Sequence, residues 1–370
     1  MRDRRQIVGL WQRGGARVLV TVVRVEGSSY RQPGARLLLS ESGEYAGTVS
    51  GGCLETEVTR KAVWKVREGA VVERYSTLFE DTAEVPFGLG CGGVIDLLLE
   101  PVDTPECNAV LTAMERSLKG EPSAVVTWLP GDGKKLRRVV LDKSGKTLFA
   151  SESLDEKKLS CARDLQPGTA YDGRFVEEMF VPQRMFVMGA GDDARPLVSM
   201  AAMMGWSVTV ADGRTHLARR ERFPEAERVM VLREGEFEKL GIHSKDAVIV
   251  MTHSYEQDRA LLSALISIAP RYLGMLGARH RSSLLVSEAA ATTGLSIDEC
   301  CQRIWAPIGL DLGGEGPEAI ALAVMAEAQA VCMGKVGISR RLSSEAVMHH
   351  VREGGASRYL QTHCATDQAS

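Results

Sequence analysis

The chain has 370 residues, 44% of them hydrophobic and 25% charged, which suits a water-soluble protein large enough for two domains. Its 45 basic and 48 acidic residues leave a formal net charge of -3 with no long run of one sign, so neither nucleic acid nor a membrane surface is an expected partner. The opening MRDRRQIVGLWQRGGARV lacks the continuous apolar stretch of a signal peptide, and no segment is apolar for long enough to cross a bilayer, which predicts a cytoplasmic protein.

Strands come first in chain order. RVLVTVVRVEG, ARLLLS and EYAGTVS are bounded by Gly, Pro or Ser and predict a mixed sheet. LETEVTRKAVWKVREG then spaces Leu54, Val58, Ala62 and Val66 four apart, a helix that starts at a glycine loop and closes on Gly69. VVERYS and VIDLLLEPV predict two more strands, followed by a helix over 108–119 and the strands SAVVTWLP and KLRRVVLD. Periodicity weakens through SESLDEKKLSCARDLQPGTAYDG and returns in RFVEEMF, so a domain boundary is expected near Pro182. The expected division is 1–181, with a core over about 15–105, then 182–340 and a tail over 341–370.

From Arg184 the pattern changes to strand, glycine turn, helix, strand, as a βαβ unit requires. Further strands are predicted at RVMVL, DAVIVMT and RYLGML, with helices such as QDRALLSALISIA between them and a long helix in GPEAIALAVMAEAQAVCMG. The predicted class is α/β, a mixed-sheet α+β N-terminal domain followed by a Rossmann-like parallel-sheet domain.

GAGDDA fits the dinucleotide fingerprint in its required setting, after a strand and before a helix. Gly189 would make the tight turn and Gly191 would admit a pyrophosphate, with Ala194 in place of the third glycine. Asp212, about 20 residues on, could accept from a ribose hydroxyl, and Arg214 could pair with a phosphate. Asp192 and Asp193 suit a helix start, yet they put negative charge where a pyrophosphate would come. The same turn also serves a Rossmann-like domain that binds nothing.

The eight cysteines (53, 91, 107, 161, 300, 301, 332 and 364) show no disulfide or zinc spacing and are expected as free thiols, Cys300 and Cys301 in structural positions. Two of them stand among glycines. Cys53 follows Ser50, Gly51 and Gly52 at a helix start, where several N–H groups can converge on an anion and a thiol is acidified. Cys91 lies between Gly90 and Gly92, with Gly93 beyond. A third loop, GSSYRQPGAR, adds Ser28, Ser29, Arg31 and Arg36. Each loop alone also reads as a tight turn; three in one small domain suggest one polar pocket for a phosphorylated, sulfur-bearing or metal-bearing ligand.

GSSYRQPGAR, GTVSGGCLE and FGLGCGG, then VMGAGDDARPL, VTVADGR, MTHSYEQD, LGMLGARHR and PIGLDLGGEGPEAIALAVMAE, together resemble the XdhC/CoxI family of accessory proteins for molybdenum-containing hydroxylases. The likeness runs in order over most of residues 15–335 and departs at Tyr30, where the family has proline. It implies a chaperone, not a turnover enzyme, that binds molybdenum cofactor as molybdopterin or its cytosine dinucleotide form. It further implies that the protein assists sulfuration by a cysteine desulfurase and inserts the cofactor into an apo-hydroxylase of the xanthine or CO dehydrogenase type. On that reading backbone amides and Arg31 or Arg36 hold the phosphate end, and Cys53 or Cys91 lies near molybdenum.

The Rossmann-like domain would hold a nucleotide, free or as half of the dinucleotide form, or none. His253 and Arg279 to Arg281 follow predicted strands, where ligands of open sheets bind, but they serve equally as a loop cap and helix-start charges. A homodimer is expected from the loop-rich first domain. The rival from another class is an NAD(P)-dependent oxidoreductase, which lacks a proton donor after the fingerprint. A purely structural adaptor would need the glycine loops only as turns.

Overall fold

The structure is a computed structural model that describes residues 1–52, 54–76, 93–131, 135–152, 154, 162, 168–171, 173–233 and 235–337. The chain divides into two compact units, one over Asp3–Val181 and one that takes in Pro182–Arg340.

The first unit is built on two five-stranded sheets. One has the order β3-β2-β1-β5-β4, from β1 (Ala16–Gly27), β2 (Arg36–Ser40), β3 (Tyr45–Gly47), β4 (Val71–Ser76) and β5 (Gly93–Pro101). The other has the order β8-β7-β6-β10-β9, from β6 (Ser123–Trp128), β7 (Arg137–Asp142), β8 (Thr147–Ala150), β9 (Gly168–Tyr171) and β10 (Arg174–Met179). The α/β class is as the sequence predicts, although each registered pair in this unit is antiparallel where a mixed sheet was expected.

Helices α1 (Arg2–Gln12), α2 (Glu55–Lys65) and α3 (Pro105–Leu118) cover the sheets. The RVLVTVVRV run is apolar on both faces because both are covered. Val18, Val20 and Val22 pack toward Val58 and Ala62 of α2, while Leu19 joins Ile7 of α1, Leu111 of α3 and Val125 and Val140 of the second sheet. α3 starts earlier than the predicted 108 because Thr104 caps it, accepting from the Cys107 N–H at 3.2 Å, with Pro105 in its first turn.

Two buried ion pairs join the sheets. Arg138 on β7 donates to both carboxylate oxygens of Glu100 on β5, at 2.7 and 3.2 Å, and through Nε to Thr127 at 3.0 Å. Burial alone would lower the Arg138 pKa, but the Glu100 carboxylate outweighs it and raises the value. Arg36 on β2 pairs with Glu177 on β10.

The second unit is a parallel sheet of order β13-β12-β11-β14-β15, made of β11 (Arg184–Met188), β12 (Ser207–Asp212), β13 (Arg228–Val231), β14 (Ala247–Val250) and β15 (Tyr272–Met275). Successive residues of β11 face opposite sides. Val187 meets Leu197 and Val198 of α4 (Ala194–Met203) and Val324 of α8 (Pro317–Cys332). Phe186 meets Leu262 and Leu265 of α5 (Tyr255–Ile268) and Leu285 of α6 (Arg279–Thr293), beside α7 (Ile297–Arg303). Strand order reverses between β11 and β14, which makes their carboxyl ends the crevice of this doubly wound sheet.

Candidate functional site

In the first unit the chain leaves β3 at Gly47 and enters α2 through Leu54. Glu55 is 3% exposed. Its Oε1 accepts from the N–H groups of Val49 at 3.1 Å and Ser50 at 2.9 Å, and its Oε2 accepts from the Ser50 hydroxyl. The Ser50 Oγ in turn accepts from Gly52 N–H at 3.2 Å and Leu54 N–H at 3.1 Å. Burial pushes the Glu55 carboxyl up, but the Ser50 and Val49 hydrogen bonds outweigh it and hold the group below its ordinary range. Val49 and Ser50 N–H groups converge here, and the anion they meet is the chain's own Glu55. The sequence signal for it is an acid at the first position of the helix that follows the glycine loop.

Gly51 and Gly52 stay exposed on the outer side of this loop. A Cβ on Gly51 would lie 3.5 Å from the ring of Tyr30, itself 73% exposed, so GSSYRQPGAR lies against GTVSGG. Gly93, in register with Gly27, leaves no room for a side chain, because a Cβ there would sit 2.1 Å from the Ser28 carbonyl oxygen. GSSYRQPGAR, GTVSGG and Gly93, the one described residue of FGLGCGG, therefore lie together at one end of the first sheet. Ser29 donates to the Arg31 carbonyl at 2.8 Å, and the partly exposed Arg31 pairs with Asp3 of α1.

Arg36 sits elsewhere. Only 5% of its side chain is exposed, and its guanidinium is held by Glu177 and by the Gly34 carbonyl at 3.0 Å, which makes it a strut between sheets. Cys53, Gly90, Cys91 and Gly92 lie outside the described residues, as does the tail over 341–370. Among the described cysteines, Cys107, Cys300, Cys301 and Cys332 are free, and Cys301 alone is exposed. Burial pushes the Cys332 thiol up to about 11, so it stays protonated at neutral pH. No group of three His, Cys, Asp or Glu side chains suited to a metal occurs among the described residues.

In the second unit the glycine turn follows β11. Gly189 has φ of +125°, and a Cβ there would lie 2.3 Å from the Met251 carbonyl oxygen, so glycine alone fits. Asp212, 4% exposed at the end of β12, accepts from Ala190 N–H at 2.7 Å through Oδ2. Arg214 supplies its backbone N–H and Nε to Oδ1, at 2.8 and 2.9 Å, and Nη2 to Oδ2 at 2.8 Å. Burial would raise the Asp212 pKa; the Arg214 and Ala190 bonds outweigh it and lower it. Asp212 is thus a brace across the glycine turn, with both oxygens engaged. Beyond it a cavity of about 660 Å³ opens at the ends of β12, β13 and β14.

Each of the two acids after Gly191 has a side-chain partner. Asp192 meets Arg222 at 2.8 Å, and Asp193 meets His253 Nε2 at 2.7 Å. Asp193 therefore gives α4 no side-chain cap, contrary to the helix-start role expected of it. His253, with φ of +64°, lies against Gly191 at the point where strand order reverses. Arg281 is tied to Asp258 at 2.7 Å, while Arg279 begins α6 on its exposed side. In the PIGLDLG stretch, Gly309 N–H and the Tyr272 hydroxyl share Glu327 Oε2, at 2.9 and 2.6 Å.

Residues 185–328 match the family described as the XdhC Rossmann domain, and residues 10–76 match the XdhC and CoxI family. A Bacillus subtilis protein named as a probable subunit of xanthine dehydrogenase is 28% identical over 84% of this chain and 91% of its own length. The molybdenum cofactor insertion chaperone PaoD of Escherichia coli is 26% identical over 86% of this chain and 84% of its own. A crystal structure described as a xanthine dehydrogenase from Bacillus halodurans superposes with a TM-score of 0.77 at 27% identity, covering 94% of this chain and all of that one.

Proposed function

Since the chain belongs to the XdhC and CoxI family, we propose that it is an accessory protein that binds molybdenum cofactor and inserts it into a molybdenum hydroxylase of the xanthine or CO dehydrogenase type. The observation that supports this reading is the closeness of GSSYRQPGAR to GTVSGG and to Gly93, with Tyr30 against Gly51 and Ser28 against Gly93. A surface stripped of side chains lets backbone donors approach a phosphate and leaves space for a flat pterin. The chaperone named among the relatives, and the xanthine dehydrogenase naming of the others, support the same role.

Molybdenum is cargo here. Arg31, partly exposed, is the guanidinium available to the phosphate end, whereas Arg36 serves the sheets. Cys53 and Cys91 flank the meeting point in sequence and offer the soft thiolates that molybdenum prefers. The cofactor form is molybdopterin or its cytosine dinucleotide, and the partners are the apo-hydroxylase, a cysteine desulfurase that supplies sulfur, and a second copy of the chain. The setting is the cytoplasm; no helix of the described residues is long and apolar enough to cross a membrane.

The rival hydride-transfer reading loses its ribose acceptor, because Asp212 is spent on Ala190 and Arg214. A second nucleotide role for the parallel-sheet unit is compatible with carriage. The test is transfer: cofactor-loaded protein mixed with apo-hydroxylase should restore hydroxylase activity faster than free cofactor at equal concentration. Equal rates would refute the insertion role.

A further inference from the structure

The cavity beside Asp212 has no task in cofactor carriage by the first unit. Its volume of about 660 Å³ lies within the range of small-ligand pockets. It opens at the carboxyl ends of β12, β13 and β14, where open α/β sheets take their ligands. Its apolar walls come from Leu232, Phe237 and Leu261, which can sandwich a flat ring. Gln257 adds a hydrogen-bonding amide that reaches toward Gly213, where the missing side chain exposes backbone.

The charges select the ligand's sign. Glu256 is paired with Arg259, and Asp212 with Arg214. Arg233, on the rim, makes no side-chain ion pair among the described residues, and Glu236, three residues on, is paired with Lys239. Among the described residues the lining therefore carries one positive charge beyond its ion pairs. Arg214 stands beside it, with Nη2 also 3.4 Å from the Thr252 carbonyl. The glycine turn is closed to a pyrophosphate from within, since the Ala190 N–H already serves Asp212 and the two acids after Gly191 stand at its mouth.

We infer that this cavity binds a nucleoside 5′-phosphate, its base between Leu232, Phe237 and Leu261 and its phosphate on Arg233, without using the glycine turn. The inference deepens the nucleotide role left open above. Its ligand is a free nucleotide or the nucleotide half of a pterin dinucleotide. The base is read by the same walls in either case.

The experiment is calorimetric titration of the full chain, free of molybdenum cofactor, with CMP, AMP, cytidine, adenosine and NADH. Loss of this binding leaves carriage by the first unit untouched, so the two readings fail separately. At least one of the two monophosphates should saturate one site per chain. Arg233→Ala, on the rim, should weaken that monophosphate about tenfold or more and leave its nucleoside unchanged. Ala264→Trp, which fills the cavity from α5, should abolish both. Competition of the cytosine dinucleotide cofactor against CMP would assign the ligand to the cofactor; absence of competition with CMP or AMP bound would assign it to a free nucleotide. No saturation by either monophosphate, NADH binding tighter than both, or Arg233→Ala indistinguishable from wild type would overturn the inference.

Discussion

The loop at 47–55 and the turn at 189–194 both follow a strand, both use glycine, and both point backbone N–H groups at a carboxylate of the same chain. They differ in where that carboxylate comes from. Glu55 stands on the helix that the loop itself begins, and it is buried with the Val49 and Ser50 N–H groups and the Ser50 hydroxyl closed on it. Asp212 reaches over from the neighbouring strand, shares itself with Arg214, and borders an open cavity. A glycine pattern thus announces backbone donors without saying whose anion they serve. In the first unit the outer face of the loop is what is left for a ligand; in the second it is the space beyond the brace.

The largest effects should come where glycine is forced by close approach. Gly189→Ala and Gly93→Ala drive a Cβ to 2.3 and 2.1 Å from a carbonyl oxygen, and each should cost about 3 kcal/mol or more in urea unfolding. Tolerance of alanine at either place would break the account of that turn. Next, Glu55→Ala strands the Val49 and Ser50 N–H groups in a buried site and should cost about 2–3 kcal/mol. Asp212→Ala should cost less, about 1–2 kcal/mol, because Asp212 lines the cavity and its removal opens the Ala190 N–H to water from there. An equal or reversed order would erase the distinction between plug and brace.

Acidity tests the same two groups. Both carboxyls are held below their ordinary values of 4.5 and 3.8, so the folded state binds fewer protons than the unfolded one. Their stabilisation is complete above those values and is lost as pH falls through the lower, folded ones. The urea midpoint of the wild type should therefore drop below about pH 4.5, and Glu55→Gln and Asp212→Asn should each flatten that dependence. The smallest effect on stability is expected for Arg31→Ala, at most about 1 kcal/mol for a partly exposed pair with Asp3, together with weaker retention of the cofactor.

Much of the fold was legible because its patterns are local. The strand runs, the βαβ turn at Gly189 and the helix after Ser50 all announce themselves within a few residues. What the sequence hid is non-local. Arg36 read as a phosphate ligand because its neighbours are glycine, serine and proline; its partner Glu177 lies 141 residues away on another sheet. Glu55 and Asp212 were visible as acids, but occupation of the Val49, Ser50 and Ala190 amides by those acids depends on backbone geometry that no spacing encodes. The start of α3 was available in Thr104-Pro105, a cap followed by a first-turn proline. Helix α1, whose Ile7, Val8 and Leu10 are buried, opens with a short basic stretch that reads more readily as surface.

The central claim is that the loops at the end of the first sheet carry molybdenum cofactor. Anaerobic incubation with the purified cofactor, gel filtration and metal analysis test it most directly, on wild type and on Cys53→Ala and Cys91→Ala. The account predicts about one molybdenum per wild-type chain, with retention reduced in at least one cysteine variant. A wild-type chain that leaves the column without molybdenum would contradict it.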